Sequence, residues 1–164
     1  MPLPIAHGLL GASIVALVKP RDENRNWKPF AWGFALANLP DFDFAFVFLF
    51  GWHGFHRGFM HSLFFAFLLG AVIFALLKNE TRRLPLALSL ALFSHTLLDF
   101  ATSCQSKGVR LFSPFDEDFY KLGWFGFSEL TRGLVISDML HFAAVEALVF
   151  VPFFLLVLFV RKYL

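Results

Sequence analysis

Charge is scarce in this chain, and cysteine nearly absent. Only 16% of the 164 residues are Asp, Glu, Lys or Arg, and the formal net charge is +2. So small a positive excess leaves no electrostatic footprint for nucleic acid, and no such partner is expected. The single cysteine, Cys104, excludes an intramolecular disulfide and carries little information on redox compartment. No basic residue precedes the first apolar run, MPLPIAHGLLGASIVALV, and no small-residue cleavage site leads on to a soluble domain. That segment is therefore read as retained, not as a signal peptide. Repeats and low-complexity linkers are missing too, which leaves residues 1–164 as one membrane-embedded domain.

What is abundant is hydrocarbon. Hydrophobic residues make up 58% of the chain and phenylalanine alone contributes 25 positions. With a mean hydropathy of +0.67, the chain is too apolar for an ordinary soluble domain of this size. The expected class is all-α, a polytopic membrane protein with about five transmembrane helices at 4–18, 30–50, 61–77, 84–101 and 140–160. The first run is shorter than the roughly 20 residues a bilayer span needs. The second contains Asn38, Pro40, Asp41 and Asp43, which no lipid-facing helix would choose. Pro40 lacks an N–H, so a break is expected there, facing protein or a water-filled cavity. Residues 102–139 mix charges and glycines with Phe112, Phe115, Phe119, Tyr120, Trp124, Phe125 and Phe127 without a clear period, as a long aromatic loop at the membrane interface would.

The connections at 19–29 and 78–83 and the C-terminal tail carry nine of the 14 Lys and Arg residues. The positive-inside rule places that side in the cytoplasm, with the N-terminus, the 53–60 hinge and the aromatic loop outside. All six histidines then fall in the outer slab, as do Asp41, Asp43 and Asp99. Ionisable residues inside a membrane mark functional sites by default.

The chemistry centres on FHRGFMHS, residues 55–62. His56 and His61 flank Gly58 there. Downstream, His95 and Asp99 in HTLLD are four apart, on one helical face and close enough for one ion. Asp41 and Asp43 flank one residue, so in an extended segment they point the same way. Imidazole mixed with carboxylate suits zinc, manganese or iron(II) better than calcium or magnesium. Six candidates are too many for one tetrahedral ion with an open position, so one or two divalent transition-metal ions, zinc foremost, are the expected cofactor. A paired site would clamp a phosphoester and acidify a bridging water, and Arg57 is the natural anion clamp. Plainer readings stand beside these. His7 and His141 suit the interface, Asp41 can cap a helix, and His53 suits a solvated loop. His95 with Asp99 can be a structural pair or a proton relay. Asp138 suits a cap on the last helix, and Glu146 either bonds a polar group such as Asn38 or is protonated.

The ordered set AHGLLG, LPDFDF, FHRGFMHS, SHTLLDFAT and GVRLFSPF resembles the YdjM-like family of bacterial and archaeal inner-membrane metal-dependent hydrolases, from His7 to about Phe115. The resemblance implies a multi-pass hydrolase of the inner membrane with metal ligands His7, Asp41, Asp43, His61, His95 and Asp99. His56 and Arg57 would stand beside them, with His56, Arg57 and Asp99 as the catalytic set. A distant similarity of that family to zinc-dependent phospholipase C implies a phosphoester of a lipid or other amphiphile as substrate. Five residues separate Thr102 from Gly108 where the family more often has two, and Phe59 and Met60 stand where a threonine often precedes the histidine. A proton- or ion-coupled transporter could use the same His/Asp cluster, and a helix broken at Pro40 suits one. The cytoplasmic halves of the spans are almost bare of the polar residues a carrier needs. A membrane protein that keeps a metal for stability alone is the third reading.

Overall fold

A computed structural model describes residues 2–19, 26–51, 56–104, 107–124 and 136–163. Its regular elements are all helical: α1 Pro4–Val18, α2 Lys28–Ala37, α3 Phe44–Phe50, α4 Leu63–Leu76, α5 Arg83–Thr102 and α6 Ile136–Arg161. Two helices are long and apolar enough to cross a membrane, Arg83–Thr102 and Ser137–Arg161, while α1 and α4 are shorter apolar helices. Expectations placed on His53, Phe125 and Phe127 lie outside the described residues.

The 30–50 run is two helices joined by a 3-10 turn, Leu39–Asp43. Pro40 cannot donate to the carbonyl of Leu36, and Asp41 N–H bonds Asn38 O instead of Ala37 O. The carbonyl of Ala37 is thereby released from the helix ladder. After α3, Gly51 takes the left-handed conformation (φ 69°) that ends a helix without steric cost. A second 3-10 turn, Phe59–His61, leads into α4, whose cap is the Ser62 hydroxyl accepting from Phe65 N–H.

At the centre of the bundle, α5 packs against α1, α2 and α4, burying Pro85, Leu88, Leu92, His95, Asp99 and Thr102 along one stripe. Val15, Ile73, Ala87, Leu88 and Ala91 form an apolar core. Helices α1 and α2 approach closely because glycines face each other: a Cβ on Gly11 would lie 2.5 Å from the carbonyl oxygen of Gly33 and 2.5 Å from Ala37 Cβ.

The expected aromatic loop is, over residues 107–124, a folded cap. Val109 and Tyr120 form a backbone bridge, and Leu111 O accepts from Leu63 N–H at the head of α4. Leu122 and Trp124 N–H bond Phe100 and Ala101 O at the end of α5. Arg110 pairs with Glu117 at 2.6 Å and lies over the Phe119 ring. Donation from the Tyr120 hydroxyl holds the Asp116 carboxyl below its usual range and pushes the phenol up.

Candidate metal centre

The released carbonyl of Ala37 accepts from His95 Nδ1 at 2.7 Å. A carbonyl can only accept, so Nδ1 carries the proton and Nε2 keeps its lone pair. That lone pair faces the other side chains of the cluster, so the helix break that frees the carbonyl also sets the tautomer of the histidine.

Four donor atoms close a ring. His61 Nε2 lies 3.4 Å from Asp41 Oδ1, which is 3.7 Å from His95 Nε2. His95 Nε2 is 3.4 Å from Asp99 Oδ2, and that oxygen is 3.5 Å from His61 Nε2. Donors bound at about 2.0–2.2 Å to a tetrahedral ion stand about 3.3–3.6 Å apart. Along its edges the ring comes within about 0.1 Å of those separations.

Around the ring, the remaining atoms have separate duties. Asp99 Oδ1 is 3.4 Å from His7 Nε2, and the His7 ring stacks on His95 with centroids 4.0 Å apart. His61 Nδ1 is 3.3 Å from Asp43 Oδ2. Asp43 is held in turn: Oδ1 lies 2.8 Å from His56 Nδ1, and Oδ2 accepts from Arg57 N–H at 3.1 Å. Arg57 has φ 64°, a costly conformation for a residue with a side chain, and its backbone is pinned at both ends, the carbonyl accepting from Arg110 N–H in the cap. The backbone of Arg57 is thereby fixed next to Asp43, at the edge of the cluster.

Burial decides how this arrangement is read. His7, His61, His95 and Asp99 are 0% exposed. Both nitrogens of His7, His61 Nδ1, His95 Nε2 and both oxygens of Asp99 have no hydrogen-bond partner among the described residues. Unsatisfied buried polar atoms normally cost about 1–3 kcal/mol each, and a converging set of them calls for a missing partner. A divalent cation in the ring would take two of them, His95 Nε2 and Asp99 Oδ2, and would balance the charge of Asp41 and Asp99. Three overlapping groups could hold such an ion: His7, His95 and Asp99; Asp41, His61 and His95; and Asp43, His56 and His61.

The expected residues therefore converge with few exceptions. His141 is exposed on α6, its ring against Phe142, and joins none of these groups. Asp138 sits in the first turn of α6. Glu146 does not bond Asn38, whose amide donates to Phe34 O one turn back; it accepts from the backbone of α1 instead. Sequence reasoning had no means of finding the Ala37 carbonyl, since a backbone oxygen leaves no mark beyond the Asn38-Leu39-Pro40 stop that exposes it.

The family model described as YdjM inner membrane protein matches residues 1–164, the whole chain, and the chain belongs to that family. No curated protein and no solved structure matches.

Proposed function

Starting from that membership, we propose that this inner membrane protein is a metal-dependent hydrolase acting on a phosphoester of a lipid or other amphiphile at the outer face of the membrane. In this reading the broken 30–50 run, α1 and α4 join the two long helices to make five crossings, with the N-terminus outside and the C-terminus cytoplasmic. The observation that carries it is the ring of Asp41, His61, His95 and Asp99 donors, 3.4–3.7 Å apart along its edges, three of the four residues fully buried.

One ion fits this donor set better than two. His95 has only Nε2 to give, because Nδ1 is committed to Ala37 O, and the His56–Asp43 contact at 2.8 Å already occupies the third group. Asp41, His61, His95 and Asp99 would hold the ion, zinc first and manganese next by donor type. When bound, it supplies Lewis acidity and lowers the pKa of water. The chain's own residues do the rest. Asp43 and the Ala37 carbonyl orient the two histidines, as carboxylate and carbonyl partners do for metal-bound imidazoles. His7 steadies Asp99 through its second oxygen. Arg57 takes two phosphate oxygens in its planar fork, reaching from a backbone held by Asp43 and Arg110. His56, with Nδ1 facing Asp43, keeps Nε2 free to accept or deliver a proton. The 107–124 cap holds the backbone of Arg57 through Arg110.

Purified protein assayed on phosphodiesters and phosphomonoesters tests the proposal, with His61→Ala beside wild type. Hydrolysis by wild type that falls with His61→Ala is expected; full activity in the variant would overturn it. The 3-10 break at Leu39–Asp43 favours one other reading, an ion-coupled transporter built on the same cluster. Metal- or proton-coupled uptake into proteoliposomes without any hydrolysis would select it.

A further inference from the structure

Helix α1 begins with an electrostatic difficulty. The first N–H groups of a helix have no intrahelical partner, and in hydrocarbon no water replaces one. Here Pro2 and Pro4 have no N–H to satisfy, which leaves Leu3, Ile5 and Ala6 as donors in the opening turn, of which Ala6 reaches the Leu3 carbonyl at 3.2 Å and shares its N–H with a second acceptor. Leu3, the residue in the capping position, has no side-chain oxygen to offer.

The missing acceptor comes from the other end of the sequence. Glu146, 1% exposed on α6, accepts from Leu3 N–H at 2.5 Å and from Ala6 N–H at 3.1 Å. These donors, the capping residue and the third residue of the helix, are the two that a local capping box would satisfy. The residue after Ala6 is His7, whose ring contacts Asp99 and His95.

We propose that Glu146 is a positioning residue: by capping α1 from α6, it fixes the first helical turn and with it the approach of His7 to Asp99 and His95. Its functional meaning rests on reading the cluster as a metal centre, but the placement of His7 can be tested without any metal. A carboxylate offers two acceptor oxygens, Gln only one, and Leu none. The placement of His7 should therefore degrade in that order.

Histidine carbethoxylation by diethyl pyrocarbonate, mapped by mass spectrometry on chelator-treated full-length protein in lipid nanodiscs, reads this directly. In wild type His7, His61 and His95 should all label slowly. Glu146→Leu should raise the His7 rate about tenfold, the scale set by losing a helix cap, and leave His61 and His95 unchanged. Glu146→Gln should give a smaller rise at His7 alone and decides the matter where the Leu variant does not fold. An unchanged His7 rate overturns the proposal, and so does a rise at all three histidines together, which would mean general loosening. If wild type proves unable to bind metal, the metal-centre reading fails while the labelling still decides the role of Glu146. Where metal does bind, Glu146→Gln should weaken it in wild type and change nothing further in His7→Ala; equal losses in both backgrounds would contradict action through His7.

Discussion

Helices α5 and α6 are both long and apolar enough to cross a membrane, yet half of the apolar window of α5 is buried inside the protein and only 11% of that of α6. The buried helix carries Ser94, His95, Thr96, Asp99 and Thr102 inward. On the other, Leu148, Val149, Phe153, Leu155, Leu156 and Phe159 face outward, and Glu146 is the fully buried charged residue that turns to α1. Hydropathy therefore identifies both helices as membrane-compatible without saying which is the centre. Polar residues supply that distinction, because the interior of a helix bundle is where they can be satisfied away from lipid.

Four substitutions sharpen the contrast, in descending order of effect. Asp99→Ala, at the heart of α5, removes a donor facing three histidines. Metal affinity should fall by more than the roughly 100-fold upper limit seen for losing an outer partner, as measured by competition with a chromogenic chelator. Asp43→Asn leaves the ring intact and weakens only the orientation of His61, so affinity should drop about 10–100-fold in the same assay. If Asp43→Asn proved as severe as Asp99→Ala, Asp43 would have to count as a ligand. Gly11→Val tests packing instead of chemistry: its first carbon has no room against Gly33 and Ala37, and thermal unfolding in detergent should register a loss of about 1–3 kcal/mol. Leu148→Ala, 76% exposed on α6, should stay within about 0.5 kcal/mol of wild type in the same melt and keep metal binding unchanged. A large effect there would mean that this face of α6 is covered by protein.

The sequence exposed the site better than the architecture. His95 and Asp99 were legible because helical spacing alone puts them side by side, and the pattern around Pro40 announced a break. That Asp41 and Asp43 divide their duties was not legible. The expectation that both point the same way assumed an extended segment, and the 3-10 turn sends Asp41 to the Nε2 side of His61 and Asp43 to its Nδ1 side. The partner of Glu146 was missed because it is a pair of backbone N–H groups, which no side-chain pattern encodes. Aromatic residues without period suggested an interfacial loop between 102 and 139, whereas Val109, Leu111 and Tyr120 anchor part of it by backbone hydrogen bonds that hydropathy cannot reveal.

The central claim is that Asp41, His61, His95 and Asp99 hold one ion. Elemental analysis of gently purified protein, wild type beside Asp99→Ala with folding checked by circular dichroism, tests it most directly. The account predicts about one equivalent of a divalent transition metal in wild type, and its loss from a variant that stays helical. A wild-type protein that is metal-free and takes up neither zinc nor manganese when offered would contradict it.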